Sequence, residues 1–348
     1  STACDIKRIF ISHLHGDHVF GLPGLLCRIA ASAVERFDAN MPKYTLDDPL
    51  VIVGPRGLRA FIRTTLINSY ASMKGLKMRI HELDGFKCYS RGNRMRAAIT
   101  VSQPHPNEVP GEQIFPEADG SWLLPEVQGG LPLHVRAVEM DHTVPTVGWI
   151  VTERPRPGML NAMRILPLLE KHGISRRALR NIKAGRQIDL PNGEVIRPED
   201  HVQPSTQRKF AILSDSRDVP EGAALHARDA TLVVHESTNA FTSVDVNKSD
   251  AEVHKVARSR GHSTPQMAGR FAQNVNADHL VLTHFSSRYH GSTSAGSVRI
   301  MSEIRELARQ EFAGDVTCAS DLMLVTVSAN GSIRISDDRD IVPMTEPS

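Results

Sequence analysis

The sequence has few cysteines, no long apolar run and almost no net charge. Its four cysteines are scattered without any C-x-x-C spacing, which argues against a disulfide framework or a cysteine zinc site and favours reduced thiols. The longest apolar runs, such as ATLVV and LMLVTV, are much shorter than the roughly 20 residues of a membrane span. The opening STACDIKR lacks the apolar core of a secretory signal and the pattern of a transit peptide. We therefore expect a soluble intracellular protein with no membrane partner, while the sequence does not distinguish cytoplasm, nucleus and organelle.

The charge is small in total but unevenly distributed. A formal net charge of +2 does not by itself indicate nucleic-acid binding. Between Arg154 and Ile188, however, nine basic residues are accompanied by one acidic residue, Glu170, so this stretch carries about +8 and the remainder is net acidic. A basic patch on a nearly neutral protein is typical of a docking surface for an anion.

Short runs rich in β-branched residues recur along the chain, with helical patterns between several of them. The runs include RIFIS, LVIVG, MRIHEL, AAITVSQ, HVRAVEM, GWIVTE, KFAILSD, ATLVVHE and HLVLTHF, and the helical patterns include RGLRAFIRTTLINSYASM and TPQMAGRFAQNVN. Strands mixed with helices in this way predict an α/β layered sandwich. The Pro- and Gly-rich QPHPNEVPGEQIFPEADGSW, residues 103 to 122, predicts an exposed loop.

Residues 154 to 205 differ in composition from their surroundings. The segment begins at a Pro/Gly cluster, ERPRPG, contains the basic stretch, and ends in a region where LPNGEV predicts a hairpin turn. We expect an insertion that projects from a main domain of residues 1 to 330, with residues 331 to 348 as a C-terminal tail. A disordered linker is the alternative for the insertion.

The segment richest in potential metal ligands is RIFISHLHGDH, near the start of the chain. His13 and His15 are two residues apart after a strand, so an extended backbone places both imidazoles on one side. Asp17 and His18 follow Gly16, which allows a tight turn. Imidazole nitrogen and carboxylate oxygen suit Zn²⁺ or a similar divalent ion, and four such ligands in six positions predict two neighbouring ions. Surface loop histidines are the alternative.

One motif cannot fill two metal shells, so further ligands are expected from later strand ends. Three residues follow apolar runs in this way: His142 in EMDHTVP, Asp215 in ILSDS and His284 in VLTHF. The end of a strand is where an α/β sheet presents its functional groups. Taken singly, each could instead be a hydrogen-bonded core histidine or a turn residue.

Six motifs together resemble a known family. HLHGDHVFGLPGLL, LVIVGPRGLRAFI, MDHTVPTVGW, LVVHEST, GHSTPQMA and LVLTHFSSRY follow in the order found in the metallo-β-lactamase superfamily and, within it, in ribonuclease Z. The resemblance runs from Ile6 to about Val327. It implies an α/β fold of the metallo-β-lactamase αββα type with a projecting basic arm. It also implies a zinc-dependent endoribonuclease that removes the 3′ trailer from precursor tRNA, often as a homodimer.

The resemblance assigns roles to individual residues. It implies two Zn²⁺ per chain, other divalent ions being possible, with one ion held by His13, His15 and His142, the other by Asp17, His18 and His284, and Asp215 between them. Asp17 is also expected to be catalytic. A zinc pair lowers the pKa of a bound water to about 7 and neutralises charge on the phosphorus that is attacked.

The leaving 3′ oxygen needs a proton, which the resemblance assigns to His262 held by Glu236. The alternative for His262 is that HST only forms the N-cap of the helix that follows, with Ser263 or Thr264 as the capping residue. His235 precedes Glu236 on the opposite face of the strand, so we expect a structural role for it.

Substrate contacts are expected in two places. Ser286 and Arg288 lie just past His284 and are expected to bind a phosphate, a solvent-facing arginine being the alternative. In the basic insertion, which occupies the place of the family's tRNA-gripping arm, the expected phosphate contacts are Arg176, Arg177, Arg180 and Lys183. Such contacts position the RNA without reading its sequence and weaken steeply with salt.

The sequence departs from the family pattern at three points. Asp215 is flanked by Ser214 and Ser216 where Gly-Asp-Thr is usual, and the centre of the arm has GISRRALR in place of a Gly-Pro pair. Only eleven residues precede Ser12, so we expect the family's first strands to be missing. Two alternative functions follow: a zinc phosphodiesterase for small phosphodiesters, or a catalytically impaired RNA-binding remnant.

Overall fold

The computed structural model describes residues 3–38, 48–87, 103–125, 133–154, 159–203, 207–289 and 294–336. Its strands in chain order are β1 (Arg8–Phe10), β2 (Leu50–Pro55), β3 (Met78–Leu83), β4 (Glu108–Val109), β5 (Gln113–Ile114), β6 (Trp122–Leu123), β7 (Leu133–Met140), β8 (Thr146–Glu153), β9 (Met159–Leu160), β10 (Ile188–Asp189), β11 (Val195–Ile196), β12 (Val202–Gln203), β13 (Lys209–Ile212), β14 (Leu232–Glu236), β15 (His279–Thr283), β16 (Asp315–Cys318), β17 (Leu324–Val327) and β18 (Ile333–Ser336).

The helices are α1 (Gly16–Val19), α2 (Leu22–Asp38), α3 (Leu58–Asn68), α4 (Ala162–Lys171), α5 (Leu179–Lys183), α6 (Pro198–His201), α7 (Glu221–Ala227), α8 (Asp250–Ser259), α9 (Pro265–Asn274) and α10 (Ala295–Arg309), with 3₁₀ turns at Ala3–Asp5 and Arg176–Ala178. Within the described residues, none of these helices combines the length and apolarity needed to cross a membrane.

Eight of the nine strand runs quoted above contain a strand, and both helical patterns contain a helix, α3 and α9. The ninth run, AAITVSQ, lies almost entirely outside the described residues. The sequence patterns did not predict α2, the longest of these helices, which begins directly behind the histidine motif.

By its internal contacts the chain divides into two compact units. The larger unit comprises residues 1–129, 134–151 and 209–320, and the smaller unit comprises residues 130–133, 152–208 and 321–348. The larger unit contains a five-stranded sheet built from β1 to β5 and a seven-stranded sheet in the order β16-β15-β14-β13-β8-β7-β6.

The two sheets of the larger unit pack against each other. Side chains alternate along β2, so Val51 and Val53 share one buried cluster with Trp149 of the second sheet, whereas Ile52 packs with α2 and α3 on the outer face. The rings of Phe10 and Trp149 lie 5.0 Å apart across this interface. Because β2 is covered on both faces, it is apolar throughout, as buried parallel strands usually are.

The outer face of the second sheet is covered in the same way. Leu280 and Leu282 of β15 belong to a core cluster with Phe271 of α9 and Ile304 of α10. The layers therefore follow the order helix, sheet, sheet, helix, which confirms the predicted α/β sandwich.

The parallel part of the second sheet positions the functional side chains. β13, β14 and β15 are parallel, and Glu236 pairs in register with Thr283. Because the carboxyl ends of parallel strands meet at one edge of a sheet, Asp215 after β13, Glu236 at the end of β14 and His284 after β15 are brought together there.

The exposed loop predicted for residues 103 to 122 is wrong in part. The segment contains β4 and β5, both of which pair with β3, and its last residue, Trp122, begins β6. The Trp122 side chain is fully buried, and its indole N–H donates to the Asp84 carbonyl at 2.8 Å. Proline and glycine lie between these short strands, and pairing with β3 and burial of Trp122 set the positions of the strands.

The described part of the smaller unit has its own core. Ile165 and Leu169 of α4, Ile182 of α5, Leu190 and Ile196 are buried together. The hairpin predicted at LPNGEV is present, because β10 and β11 pair antiparallel on either side of it. In the same unit β17 and β18 form a second hairpin, and Arg208 donates through Nε to Glu153 at 2.8 Å.

Candidate metal centre

Three imidazoles converge at the carboxyl end of β1. His13 Nε2 lies 3.2 Å from His15 Nδ1, and His142 Nε2 lies 3.3 Å from the same His15 atom. Asp215 Oδ2 lies 3.7 Å from His13 Nε2 and 3.8 Å from His142 Nε2. A tetrahedral zinc site with bonds of about 2.0–2.1 Å has ligand-to-ligand edges of about 3.3 Å. This donor set therefore fits a single zinc ion.

A second set lies beside the first. Asp17 Oδ2 is 3.5 Å from His18 Nε2 and 3.6 Å from His284 Nε2. Asp215 completes this set, with Oδ2 3.6 Å from His18 Nε2 and Oδ1 3.5 Å from His284 Nε2. His284 holds its place with a φ of 55°, in the left-handed region that non-glycine residues seldom adopt and that is concentrated at functional sites.

Asp215 faces both sets through one buried carboxylate. Among the described residues, Asp215 Oδ1 accepts no hydrogen bond, and His18 Nε2 forms none. Burial raises the pKa of Asp215, but the close approach of His18 and the charges of His284 and His13 outweigh burial and lower it. A buried anion that faces several imidazole nitrogens is the arrangement expected of metal ligands.

Two histidines of the first set, His13 and His142, lie in surroundings that favour the neutral imidazole. Burial, followed by the charge of His18, lowers the pKa of His13 to about 3, and burial likewise lowers the pKa of His142. His142 Nδ1 lies 2.7 Å from the Gly261 carbonyl, which only accepts hydrogen bonds. Nδ1 therefore carries the proton, and the lone pair of Nε2 is directed at the cluster.

Gly261 is required at this position for two reasons. Its φ is +85°, and a Cβ on it would lie 2.6 Å from His142 Nδ1. Glycine alone therefore combines the backbone conformation with the close approach that orients His142.

At the rim of the cluster, the carboxylate of Glu236 forms a pair with the imidazole of His262. His262 Nδ1 lies 3.2 Å from Glu236 Oε1, and Glu236 is 1% exposed. Burial lowers the pKa of His262, but the hydrogen bond and the charge of Glu236, together with that of Asp215, outweigh it and raise the pKa. The pair thus favours a protonated imidazole that is still partly open to solvent.

Two named proteins are similar to this chain over most of its length. The human protein named zinc phosphodiesterase ELAC protein 1 is 34% identical over 330 residues, which covers 92% of this chain and 84% of that protein. Ribonuclease Z of Halalkalibacterium halodurans is 30% identical over 313 residues, which covers 89% of this chain and 77% of that protein.

The chain belongs to the ribonuclease Z family. The resemblance inferred from the motifs is thereby confirmed. A crystal structure of human tRNase Z, short form, matches with a TM-score of 0.55 and 26% identity, covering 94% of this chain and 81% of that one. No family model matches the chain.

Within this ribonuclease Z family fold, the structure brings together all seven residues predicted as ligands. It also brings Glu236 and His262 to the same edge of the sheet. Thr264 is the N-cap residue of α9, as the alternative for HST expected, although its side chain makes no capping hydrogen bond. Ser263 donates instead to the Ser216 carbonyl at 2.6 Å. His235 is buried, with Nδ1 2.7 Å from the Glu236 carbonyl.

Two residues predicted to bind phosphate, Arg288 and Ser286, lie in the loop after β15. Arg288 donates through Nη1 to Asp245 at 2.7 Å and through Nη2 to the Ala240 carbonyl at 2.8 Å, and it lies over the ring of Tyr289. Arg288 therefore ties the loop after β14 to the loop after β15. Ser286 is partly buried in the latter loop. Phosphate binding by Arg288 and Ser286 stays a prediction.

The four basic residues predicted to grip RNA lie in the smaller unit. They occupy the 3₁₀ turn Arg176–Ala178 and helix α5, and all four are exposed. Arg176 donates to Glu170 at 2.6 Å. Because the four residues are close in sequence and lie on short helical turns, one small segment exposes several cations.

Sequence patterns missed three parts of the centre. Gly261 and Thr238 act on ligands by backbone and hydroxyl contacts, and Ser12 Oγ lies 3.1 Å from His13 Nδ1. The role predicted for Gly16 is also refined. It begins the single turn α1, and the exposed ring of Phe20 packs directly over it, where a Cβ would lie only 2.4 Å from that ring. The family motifs GHST and HEST, taken as hydrogen-bonding units, could have pointed to the contacts of Gly261 and Thr238.

Proposed function

We propose that this chain is a zinc-dependent endoribonuclease that removes the 3′ trailer from precursor tRNA, with two Zn²⁺ bound. The observation that carries the proposal is the double set of ligands that shares Asp215, beside the Glu236–His262 pair. The names of the relatives, zinc phosphodiesterase and ribonuclease Z, support the same reaction class.

The first zinc would be held by His13, His15 and His142 and the second by Asp17, His18 and His284, with Asp215 shared between the two. When bound, a pair of zinc ions lowers the pKa of water toward neutrality and offsets the charge of a phosphodiester. Asp17 would also be a catalytic group; its side chain is 66% exposed and is therefore open to water and substrate that arrive from solvent.

His262 supplies the proton for the leaving 3′ oxygen. Because Glu236 is a carboxylate that accepts, Nδ1 of His262 is the donor in their hydrogen bond and keeps its proton. The remaining ring nitrogen, Nε2, then carries the proton that is transferred. Glu236 acts by orienting the ring and by favouring its charged form.

The smaller unit binds the body of the RNA. Arg176, Arg177, Arg180 and Lys183 offer four exposed cations, which suit phosphate groups and supply affinity without sequence preference. A small phosphodiester does not need such a segment, so this feature favours a tRNA substrate over a small one. The resemblance also implies a homodimer, which sedimentation of the purified chain tests.

The test is incubation of the purified chain with a trailer-bearing precursor tRNA and Zn²⁺. We expect a single cut that leaves a 3′ hydroxyl on the tRNA body, loss of cutting after chelation, and recovery with added zinc. Elemental analysis should give two zinc ions per chain.

A second assay uses a chromogenic phosphodiester and a variant that lacks residues 155–200. Deletion should weaken binding of precursor tRNA while turnover of the small substrate persists. Turnover of the small ester by the intact chain without any cutting of precursor tRNA would instead indicate a small-molecule phosphodiesterase. Binding of tRNA with neither activity would indicate an RNA-binding remnant.

A further inference from the structure

The hydroxyl of Thr238 lies among the groups that surround Glu236. Thr238 follows the end of β14 by two residues, and its Oγ1 lies 2.5 Å from Glu236 Oε2 and 2.8 Å from His284 Nδ1. It is also 3.0 Å from the His284 carbonyl. One hydroxyl therefore touches both the orienting carboxylate and a proposed zinc ligand.

The direction of these hydrogen bonds follows from the partners. The hydroxyl has one hydrogen to donate, and its two oxygen neighbours, Glu236 Oε2 and the His284 carbonyl, only accept. The carboxylate contact is the shorter one, as a charge-assisted bond should be. Whichever oxygen takes the hydrogen, the hydroxyl is left to accept from His284 Nδ1, so that this ring nitrogen carries the proton.

The consequence lies on the other side of the ring. With its proton on Nδ1, His284 presents an unprotonated Nε2 to Asp17 Oδ2 at 3.6 Å and Asp215 Oδ1 at 3.5 Å. A neutral imidazole with a free lone pair is the form that binds a metal ion, and the partner of its other nitrogen selects that form.

Glu236 has further partners that extend the same network. Its Oε1 accepts from the Ser216 backbone N–H at 2.8 Å and from His262 Nδ1 at 3.2 Å, and its Oε2 also accepts from the Thr238 N–H at 3.2 Å. Ser216 follows Asp215 directly. One buried carboxylate thus holds the loop of the shared ligand, the proton donor His262 and, through Thr238, His284.

We propose that Thr238 is a positioning residue, which holds His284 in its metal-binding tautomer and links that ligand to the Glu236–His262 pair. The proposal rests on the zinc centre of the proposed function. It makes Glu236 the common support of the second zinc site and the proton donor, so the two are not independent.

The test compares Thr238→Val, which removes the hydroxyl and keeps the shape, with Thr238→Ser, which keeps the hydroxyl. Thr242→Val is the matched control, because Thr242 is buried and its hydroxyl also donates to a carboxylate, that of Asp245 at 3.4 Å. In metal-free protein with ¹⁵N-labelled histidine, wild type and Thr238→Ser should show His284 protonated on Nδ1, and Thr238→Val should lose that signature.

Zinc affinity of the metal-free proteins is then measured by competition with a chelator. Loss of a ligand's outer hydrogen-bond partner typically weakens metal binding by about 10- to 100-fold, and we expect this for one of the two zinc ions in Thr238→Val. Thr238→Ser and Thr242→Val should stay within about threefold of wild type, and all variants should unfold cooperatively.

Unchanged zinc affinity and an unchanged His284 signature in Thr238→Val would overturn the proposal, as would equal loss in Thr238→Ser. Neither readout uses RNA. If the wild-type chain binds zinc in this way but leaves precursor tRNA uncut, the proposed function fails and the role of Thr238 stands.

Discussion

The proposed zinc ligands and the proposed RNA-gripping cations belong to two regions built in opposite ways. The ligands come from four separate segments of the larger unit. Three of the seven, His13, His142 and Asp215, are buried, and ring nitrogens of His13, His142 and His284 lie against a carbonyl or hydroxyl oxygen. The four cations fall within eight consecutive positions of the smaller unit and are exposed. The expected function of the ligand region depends on the exact positions of its atoms. The expected function of the cation region depends on the amount of positive charge that it exposes.

This difference predicts different responses to substitution. Changes in the ligand region should act through geometry and should be insensitive to salt, because buried groups are screened little. Changes among the exposed cations should act through charge and should change the salt dependence of binding. The four predictions below test this division, from the largest expected effect to the smallest.

Asp215→Ala should have the largest effect. It removes the carboxylate that both ligand sets share, so we expect zinc uptake to fall below two ions per chain and trailer removal to drop at least about 1,000-fold, which corresponds to about 4 kcal/mol of transition-state stabilisation. Elemental analysis and single-turnover cleavage measure the two. Wild-type cleavage by this variant under controlled metal would contradict the proposed mechanism.

Gly261→Ala should be the next most harmful. The new methyl group would meet His142 Nδ1, and we expect zinc affinity to fall by about 10- to 100-fold. Gly173→Ala is the matched control, because Gly173 also has a positive φ, +66°, but a Cβ there meets nothing within 4 Å. Both variants should lose about 1–2 kcal/mol of unfolding free energy for the left-handed backbone. Equal zinc affinity in the two would show that His142 does not depend on close approach.

Combined replacement of Arg176, Arg177 and Arg180 by Ala should leave zinc content and turnover of a chromogenic phosphodiester unchanged. The slope of log affinity for precursor tRNA against log salt should decrease by about 2 to 3, since each phosphate contact contributes about 0.9 on a duplex. The control is the triple replacement of the exposed Arg299, Arg305 and Arg309 of α10. If both triple variants change the slope equally, the effect is one of net charge and the smaller unit has no special part in it.

Ser214→Gly should have the smallest effect. Its hydroxyl lies 3.5 Å from His13 Nδ1, at the limit of a hydrogen bond, whereas Ser12 Oγ lies at 3.1 Å and is the better hydrogen-bond partner. We expect zinc affinity within about threefold of wild type for Ser214→Gly and a larger loss for Ser12→Ala. The reverse order would show that Ser214 is the residue that orients His13.

Much of the fold could be predicted because its information is local. Runs of β-branched residues and amphipathic helical patterns correctly located β1, β2, β3, β14, β15, α3 and α9. The prediction of one exposed loop failed for residues 103 to 122, although the proline and glycine residues there do lie between strands. What it missed is that Trp122 is buried and that short strands add to β3, since both depend on partners elsewhere in the chain.

The ligand types were predictable from sequence for a similar reason. Spacing after a strand constrains which side chains can share a face, so His13, His15, Asp17 and His18 could be recognised as one motif, and the later strand ends supplied candidates for the remainder. The sequence could not show that Arg288 is bound by Asp245 and Tyr289, because that pairing joins two loops 43 residues apart.

By itself, the sequence determined the α/β class, the residues able to bind metal and the family to which the chain belongs. Only the tertiary structure decided how each ligand is held: His142 by the Gly261 carbonyl, His13 by Ser12, and His284 through Thr238. The position of a proton on an imidazole depends on the partner of its other nitrogen and on burial, and both are created only when distant segments pack together.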